Sequence, residues 1–196
     1  NAKAIELPGT GSASNLGGKI DETKLFYSFT SFLYPPTIFE YDVTSGESKE
    51  YYRPNIDFNP SDYVEKQEWF TSKDGTKVPV FIVHKKGLEM NGQNPTLLYA
   101  YGGFNISLTP SFSTSRIILL ENSGIYVMAN LRGGGEFGEE WHQAGMKLKK
   151  QNVFDDFIGA AEYLVEKKYT SHEKLAIEGR SNGGLLIGAV MAQRPD

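Results

Sequence analysis

Lys174-Leu-Ala-Ile-Glu-Gly-Arg-Ser-Asn-Gly-Gly-Leu-Leu-Ile-Gly-Ala-Val-Met-Ala-Gln193 decides the fold. It reads as a short apolar strand, a sharp turn carrying Ser181, and a helix. Gly179-Arg-Ser181-Asn-Gly183 has the G-x-S-x-G pattern of a nucleophile elbow, in the strand-to-helix context that pattern requires. A serine on so tight a turn takes a strained backbone, and residues without a Cβ are needed where strand and helix crowd it. The turn lifts the Ser181 hydroxyl above the sheet. It also sets the Asn182 N–H at a helix N-terminus, where partial positive charge suits a developing oxyanion. A Gly/Ser turn opening an ordinary helix would carry the same five residues, so the flanks decide. Leu175, Ala176 and Ile177 predict a buried strand. Leu185, Leu186, Ile187, Val190 and Met191 predict a helix apolar on most faces, which belongs inside an α/β sheet.

Working outward, the bulk composition of the 196 residues is ordinary for a globular protein, with 39% hydrophobic residues and a formal net charge of -4. Mild acidity gives no reason to expect nucleic acid, and no basic run suggests a membrane surface. No apolar stretch approaches the roughly 18 residues that would span a bilayer. The start, Asn1-Ala-Lys-Ala-Ile-Glu-Leu-Pro8, has no signal-peptide core and no initiator Met, so the native start is expected to be missing. The absence of cysteine removes disulfides, thiolate metal sites and cysteine nucleophiles together. It leaves a cytoplasmic or periplasmic location equally open.

Residues 1–54 read as β structure. Lys24–Phe32 is rich in aromatic and β-preferring residues. Thr37–Val43 and Glu47–Tyr52 flank Thr44-Ser-Gly46, a hairpin with a glycine-bearing turn. Gly9–Gly18 is either a loop or a glycine-thinned strand. These make about four antiparallel strands, one propeller blade, which cannot bury both faces without companion blades. The alternative is a β-extension packed on the main domain. Pro54-Asn-Ile-Asp-Phe-Asn-Pro60 marks the boundary, so the expected division is a propeller part at 1–54 and a catalytic domain at 55–196.

Beyond the boundary, Val64–Thr71 and Lys77–His84 flank Asp74-Gly75, a strong hairpin signal. Thr96–Tyr101 is a buried strand, Thr114–Asn122 a helix stopped at Gly124, and Ile125–Leu131 another apolar strand. A helix over about 153–168 places Phe157, Ala160, Ala161, Leu164 and Val165 toward the sheet. Asp155 and Asp156 in its first turn, with Lys167 and Lys168 in its last, would complement the helix dipole. This order matches the first half of an α/β-hydrolase sheet, mostly parallel with flanking helices.

Ligand sites in such sheets lie at the carboxyl ends of the strands. Three ends are marked: Tyr101-Gly-Gly-Phe104, Asn130-Leu-Arg-Gly-Gly-Gly135 and Arg180-Ser-Asn182. An acyl-transfer serine needs at least two oxyanion donors. Asn182 N–H is one candidate. The other is a backbone N–H of the Tyr101–Phe104 loop or the Tyr101 hydroxyl, and Tyr101 could equally be packing at a strand end. Arg132–Gly135 reads as a tight loop, because the Lys-Ser/Thr of a phosphate cradle is absent. The nucleophile also needs a base and an orienting acid. The histidines are His84, His142 and His172, and none follows Ser181. Asp196 is a poor orienting acid, and His142 with Asp155 or Asp156 would belong to folds without this elbow. The triad is incomplete within these residues.

With these residues in view, the chain resembles the prolyl oligopeptidase family of serine peptidases. The matching segments are Ser72–Lys77, Tyr101-Gly-Gly-Phe-Asn-Ile-Ser107, Asn130–His142, Gln151-Asn-Val-Phe-Asp-Asp-Phe157 and Gly179-Arg-Ser-Asn-Gly-Gly184. The likeness is clear from about residue 61 onward and weaker before it. Ser-Asn-Gly-Gly and Trp-His favour this family over the related oligopeptidase B, which tends to have Ser-Ala-Gly-Gly and Trp-Tyr. The resemblance implies an α/β-hydrolase domain capped by a seven-bladed propeller, cleavage of short peptides after proline, no cofactor, and a monomer at full length. It implies Ser181 as nucleophile, with Asn182 N–H and the Tyr101 hydroxyl as the oxyanion hole. It places Phe104, beside Asn182, in the substrate pocket, where an aromatic face suits the proline ring. Arg180 stands where the family often has glycine, with little effect expected. The family's Asp and His would lie outside these residues, so the polypeptide alone is expected to be inactive. The alternatives are another hydrolase of this fold (oligopeptidase B-like, dipeptidyl-peptidase-like or an esterase) and a non-catalytic interaction module.

Overall fold

The computed structural model describes residues 3–196. The described chain divides into two compact units, one running to Ser61 and including Thr109–Ile117, the other made of Asp62–Leu108 and Ile118–Asp196.

The first unit is an antiparallel sheet of β1 (Ser12–Gly17), β2 (Lys24–Thr30), β3 (Thr37–Asp42) and β4 (Glu47–Tyr52), in that spatial order. Gly9–Gly18 is thus a strand for more than half its length. Alternation along β2 and β3 puts Tyr27, Phe29, Phe39 and Tyr41 on one buried face, with Leu25 and Tyr34 packed against them. Tyr27 and Phe39 stack with ring centroids 5.2 Å apart. Gly46, at φ 79, turns the β3–β4 hairpin, and Asp42 steadies the turn by accepting from the Thr44 and Ser45 N–H groups. The segment Thr109–Ile117 is tied to this sheet: Ser12 Oγ donates to Pro110 O (2.8 Å) and Phe112 N–H to Thr30 Oγ1 (3.2 Å).

The second unit carries a five-stranded sheet in the order β5-β6-β8-β7-β9, built from β5 (Tyr63–Thr71), β6 (Lys77–Lys85), β7 (Thr96–Ala100), β8 (Ile125–Ala129) and β9 (Leu175–Glu178). Gly75, at φ 89, turns the antiparallel β5–β6 hairpin. β7 runs parallel to both β8 and β9, so each return to the sheet needs a helical crossover. The helices are α1 (Thr114–Glu121), of which only the part from Ile118 belongs to this unit, the short α2 (Glu139–Gln143), α3 (Gln151–Glu166) and α4 (Asn182–Gln193). Every residue of β8 is buried, as befits a central strand covered on both faces. Val153, Phe157, Ala160 and Leu164 of α3 pack onto Val78, Val80, Leu98, Val127 and Leu186 in one core.

Two expectations need correction. α3 begins at Gln151, so Asp156 lies past the first turn; it is fully buried and held by Arg132 rather than serving the helix dipole. The Leu175–Ile177 strand and the Ser181 helix are only partly interior. β9 pairs with β7 along one edge and Ala176 is exposed, while α4 buries Gly183, Leu186 and Val190 but leaves Leu185 and Met191 more than half exposed. Apolar composition signals a preference for burial without saying which face is covered.

Candidate active site

The carboxyl ends of β7, β8 and β9 meet at one point on the second unit. The elbow between β9 and α4 is built by two close approaches. A Cβ on Gly179 would lie 2.2 Å from the Gly183 carbonyl oxygen, and one on Gly183 would lie 2.9 Å from that of Ala100. Only glycine fits either position. Between them Ser181 takes φ 54, ψ -116, a conformation that costs an L-residue about 1–3 kcal/mol. The strain leaves the Ser181 side chain exposed at the head of α4. Asn182 is the first residue of that helix, and its N–H has no partner among the described residues, as the geometry of a helix N-terminus dictates.

The loop after β7 is drawn onto this elbow. Gly102 takes φ 59, and Phe104 and Asn105 follow at φ 53 and 57. Asn105 N–H donates to Gly133 O (3.1 Å) and Ile106 N–H to Gly103 O (3.1 Å), which holds the turn. Phe104 is thereby thrust outward and is 74% exposed. An aromatic ring that is both exposed and on a strained backbone gains nothing for the isolated unit. Tyr101 is half-buried at the end of β7. Its carbonyl accepts from Asn182 Nδ2 (2.6 Å), so the two residues carrying candidate oxyanion donors are joined directly. Gly103 lies flat on the Asn182 amide, where a Cβ would come within 2.4 Å of Nδ2.

The loop after β8 braces this arrangement. Arg132, 4% exposed, turns away from the site. Its Nη2 donates to Asp156 Oδ1 (2.6 Å), its Nε to both Asp156 oxygens (3.0 and 3.2 Å) and its backbone N–H to Asp156 Oδ2 (3.1 Å). The same guanidinium donates to Asp74 and Thr76 in the β5–β6 turn. That hydrogen bond holds the Asp74 carboxyl down at about 2, against an ordinary 3.8. Arg132 is therefore an anchor for the Gly133–Gly135 loop, an assignment the sequence reading of a bare tight loop missed. A second residue it missed is Lys150, whose Nζ donates to Gly102 O (2.8 Å) and Asn182 Oδ1 (3.3 Å). No local pattern marks it, since it closes a lysine-rich stretch before α3.

The histidines do not complete a triad with Ser181. His84 donates from Nδ1 to Lys85 O, and His142 from Nδ1 to Gly133 O (2.8 Å). His172 lies in a short turn before β9. Ser181 Oγ has no hydrogen-bond partner among the described residues, and Asp156 is committed to Arg132, so the pairing of His142 with Asp156 is not formed. Among the described residues no group of three or more His, Asp or Glu side chains is placed to hold a metal ion, and no helix is long and apolar enough to cross a membrane. A cavity of about 340 Å³ beside β9 is lined by Phe157, Leu175, Ile177, Val190 and Met191 among others, and includes none of the candidate site residues. Its polar lining includes Glu162, Arg194 and Asp196, which are spent on one another in ion pairs, so the chemistry is assigned to the strand ends.

The sequence model described as the Prolyl oligopeptidase family matches residues 110–196, and that described as the Prolyl oligopeptidase, N-terminal beta-propeller domain matches residues 1–54. A prolyl endopeptidase of Elizabethkingia meningoseptica is 57% identical over 194 residues, covering 99% of this chain and 28% of that protein. One from Dictyostelium discoideum is 49% identical over 198 residues, covering 99% and 26%. A solved prolyl endopeptidase structure superposes with a TM-score of 0.94 at 52% identity, over 99% of this chain and 29% of the other. Prolyl oligopeptidase B from Galerina marginata, solved with a 25mer macrocyclization substrate, superposes at 0.87 and 39% identity, over 93% and 26%. The chain thus spans between a quarter and a third of the length of the relatives it matches.

Proposed function

We propose, from the premise that this chain belongs to the prolyl oligopeptidase family, that it forms part of a serine peptidase cleaving short peptides on the carboxyl side of proline. The observation that carries the reading is the elbow. Ser181 is strained and exposed, and among the described residues neither its hydroxyl nor the Asn182 N–H that follows it at the head of a 12-residue helix has a hydrogen-bond partner. A hydroxyl so placed is pre-set for attack, and the helix N-terminus favours the negative charge that attack creates.

In this reading Ser181 Oγ gives its proton to a general base and adds to the peptide carbonyl. The Asn182 N–H and the Tyr101 hydroxyl hold the oxyanion. Collapse breaks the C–N bond, the base returns its proton to the leaving amine, and water then releases the acyl group from Ser181. The exposed Phe104 ring receives the proline. The base and its orienting carboxylate come from outside these 196 residues, since the three histidines present are engaged or placed elsewhere. Residues 1–54 form part of a propeller and 55–196 part of the catalytic domain. The whole protein acts as a monomer on short proline-containing peptides, without nucleic acid, membrane or cofactor.

The test compares peptides carrying Pro or Arg before the scissile bond, using the full-length protein. Preference for Pro by about 100-fold or more in kcat/KM is expected, because a pocket shaped for a flat ring leaves a guanidinium unpaired. Preference for Arg would move the assignment to a basic-residue oligopeptidase, and ester hydrolysis alone would move it to an esterase.

A further inference from the structure

Lys150 is a half-buried cation with no use in the mechanism above. It stands at the N-terminal boundary of α3, and its side chain reaches inward to the junction of the strand ends. Among the described residues it pairs with no carboxylate. Its partners are two neutral oxygens, Gly102 O at 2.8 Å and Asn182 Oδ1 at 3.3 Å. Burial without a counter-ion pushes its pKa down from the ordinary lysine value, so the fold bears a cost to keep an ammonium there. A methionine would fill the same space without that cost.

The partners show what the ammonium does. Gly102 O belongs to the left-handed turn between Tyr101 and Phe104, past the end of β7 at Ala100. Asn182 Oδ1 belongs to the residue that follows Ser181. The hydrogen bonds run in one direction, from Lys150 Nζ to Asn182 Oδ1, and from Asn182 Nδ2 to Tyr101 O at 2.6 Å. In such a chain each bond polarises the next. The Asn182 amide has one orientation that satisfies both ends. Gly103, lying against the amide with no room for a Cβ, closes the remaining side.

We infer that Lys150 is a positioning residue of the oxyanion hole: its ammonium locks the Tyr101–Phe104 loop and the Asn182 side chain into one unit, so that two donors from separate strand ends are held in register. The inference rests on the reading of Ser181 as nucleophile. It also accounts for a positive charge kept near the positive end of α4. That repulsion is relieved only when an anion forms beside the two, and the tetrahedral intermediate is such an anion.

The experiment uses the full-length protein and a blocked Gly-Pro 4-nitroanilide. Lys150→Met, Asn182→Ala and the double variant are compared for kcat and KM. Affinity for the same compound is measured in a Ser181→Ala background, and each variant is melted thermally. Asn182→Ala keeps the backbone donor and removes only the clamp. Lys150→Met is expected to lower kcat by about 10- to 100-fold, the scale of a small misplacement of reacting groups, with affinity in the Ser181→Ala background changed less than about twofold. Asn182→Ala should give a similar loss, and combining the two should lower kcat by less than about twofold further, because both remove one device. Retention of wild-type kcat by Lys150→Met overturns the inference, as do losses that multiply in the double variant or a fall in affinity equal to the fall in kcat. If Lys150→Met does not fold, Asn182→Ala alone decides, and an unchanged kcat overturns the inference. A wild-type protein that fails to cleave while Lys150 is intact refutes the functional reading, and this inference with it. A cleaving wild type with a silent Ser181→Ala leaves that reading standing whatever Lys150 does.

Discussion

Asp156→Ala should destabilise the second unit more than any other single carboxylate change in it. Asp156 is fully buried, and both its oxygens are used: Oδ1 accepts from Arg132 Nη2 and Nε, and Oδ2 from Arg132 Nε and the Arg132 backbone N–H. Its removal leaves a guanidinium that is 4% exposed facing a cavity. Breaking one side of a buried pair costs about 3–5 kcal/mol, chiefly from the stranded charge. Asp74 still faces the other side of Arg132, and its side chain is about half in solvent, so it offsets part of that charge. The lower end, about 3 kcal/mol, is therefore expected. At the roughly 2–4 °C per kcal/mol typical of 150–250 residues, the melting midpoint of the 196-residue chain should fall by about 6–12 °C. Asp74→Asn supplies the contrast. It removes a half-exposed partner of the same guanidinium and should cost no more than about 1 kcal/mol. Thermal melting followed by circular dichroism reads both. Equal shifts for the two variants, or a shift below about 2 °C for Asp156→Ala, would refute the assignment of Arg132 and Asp156 as the anchor of the strand-end loops.

Three further outcomes follow from the same geometry. The Asp74 carboxyl, held at about 2 by Arg132 against an ordinary 3.8, contributes stability that is present above pH 3.8 and lost as pH falls toward 2. Acid melting curves of the wild type and Asp74→Asn should therefore converge across that window, and parallel curves would remove Asp74 from the network. Gly179→Ala forces a Cβ to within 2.2 Å of the Gly183 carbonyl and 2.9 Å of Ile187 Cγ1, so the first turn of α4 must shift. A loss of about 1–3 kcal/mol together with loss of peptide cleavage is expected, and a normally active variant would show that the elbow has slack. Tyr101→Phe should lower kcat by roughly 10- to 1,000-fold with little change in KM, the signature of one lost oxyanion donor. An unchanged kcat would return Tyr101 to the role of a packing residue.

What could be read from the sequence was local. The Asp74-Gly75 hairpin, the apolar runs of β7 and β8 and the glycines at 179 and 183 are each set by turn chemistry or by contacts within a few residues, and each stands where the sequence places it. What escaped was set by partners far along the chain. Asp156 reads as a helix-dipole carboxylate until the fold brings Arg132, 24 residues earlier, onto it. Lys150 carries no local signal, and only the fold brings β7 and the elbow to present two oxygens to it, 48 and 32 residues away. The apolar faces of β9 and α4 predicted an interior, yet a pattern of hydrophobicity carries no information about which neighbour supplies the cover. Phe104 was marked only through resemblance. The signal that could have marked it physically, departures into left-handed backbone at Gly102, Phe104 and Asn105, belongs to the fold and not to composition.

The most direct test of the central claim is covalent labelling of the full-length protein with a fluorophosphonate, followed by peptide mapping, beside cleavage of a short proline peptide by Ser181→Ala. The account predicts a single stoichiometric adduct on Ser181, and a Ser181→Ala variant that neither labels nor cleaves above background. An adduct on another serine, or undiminished cleavage by Ser181→Ala, would contradict it.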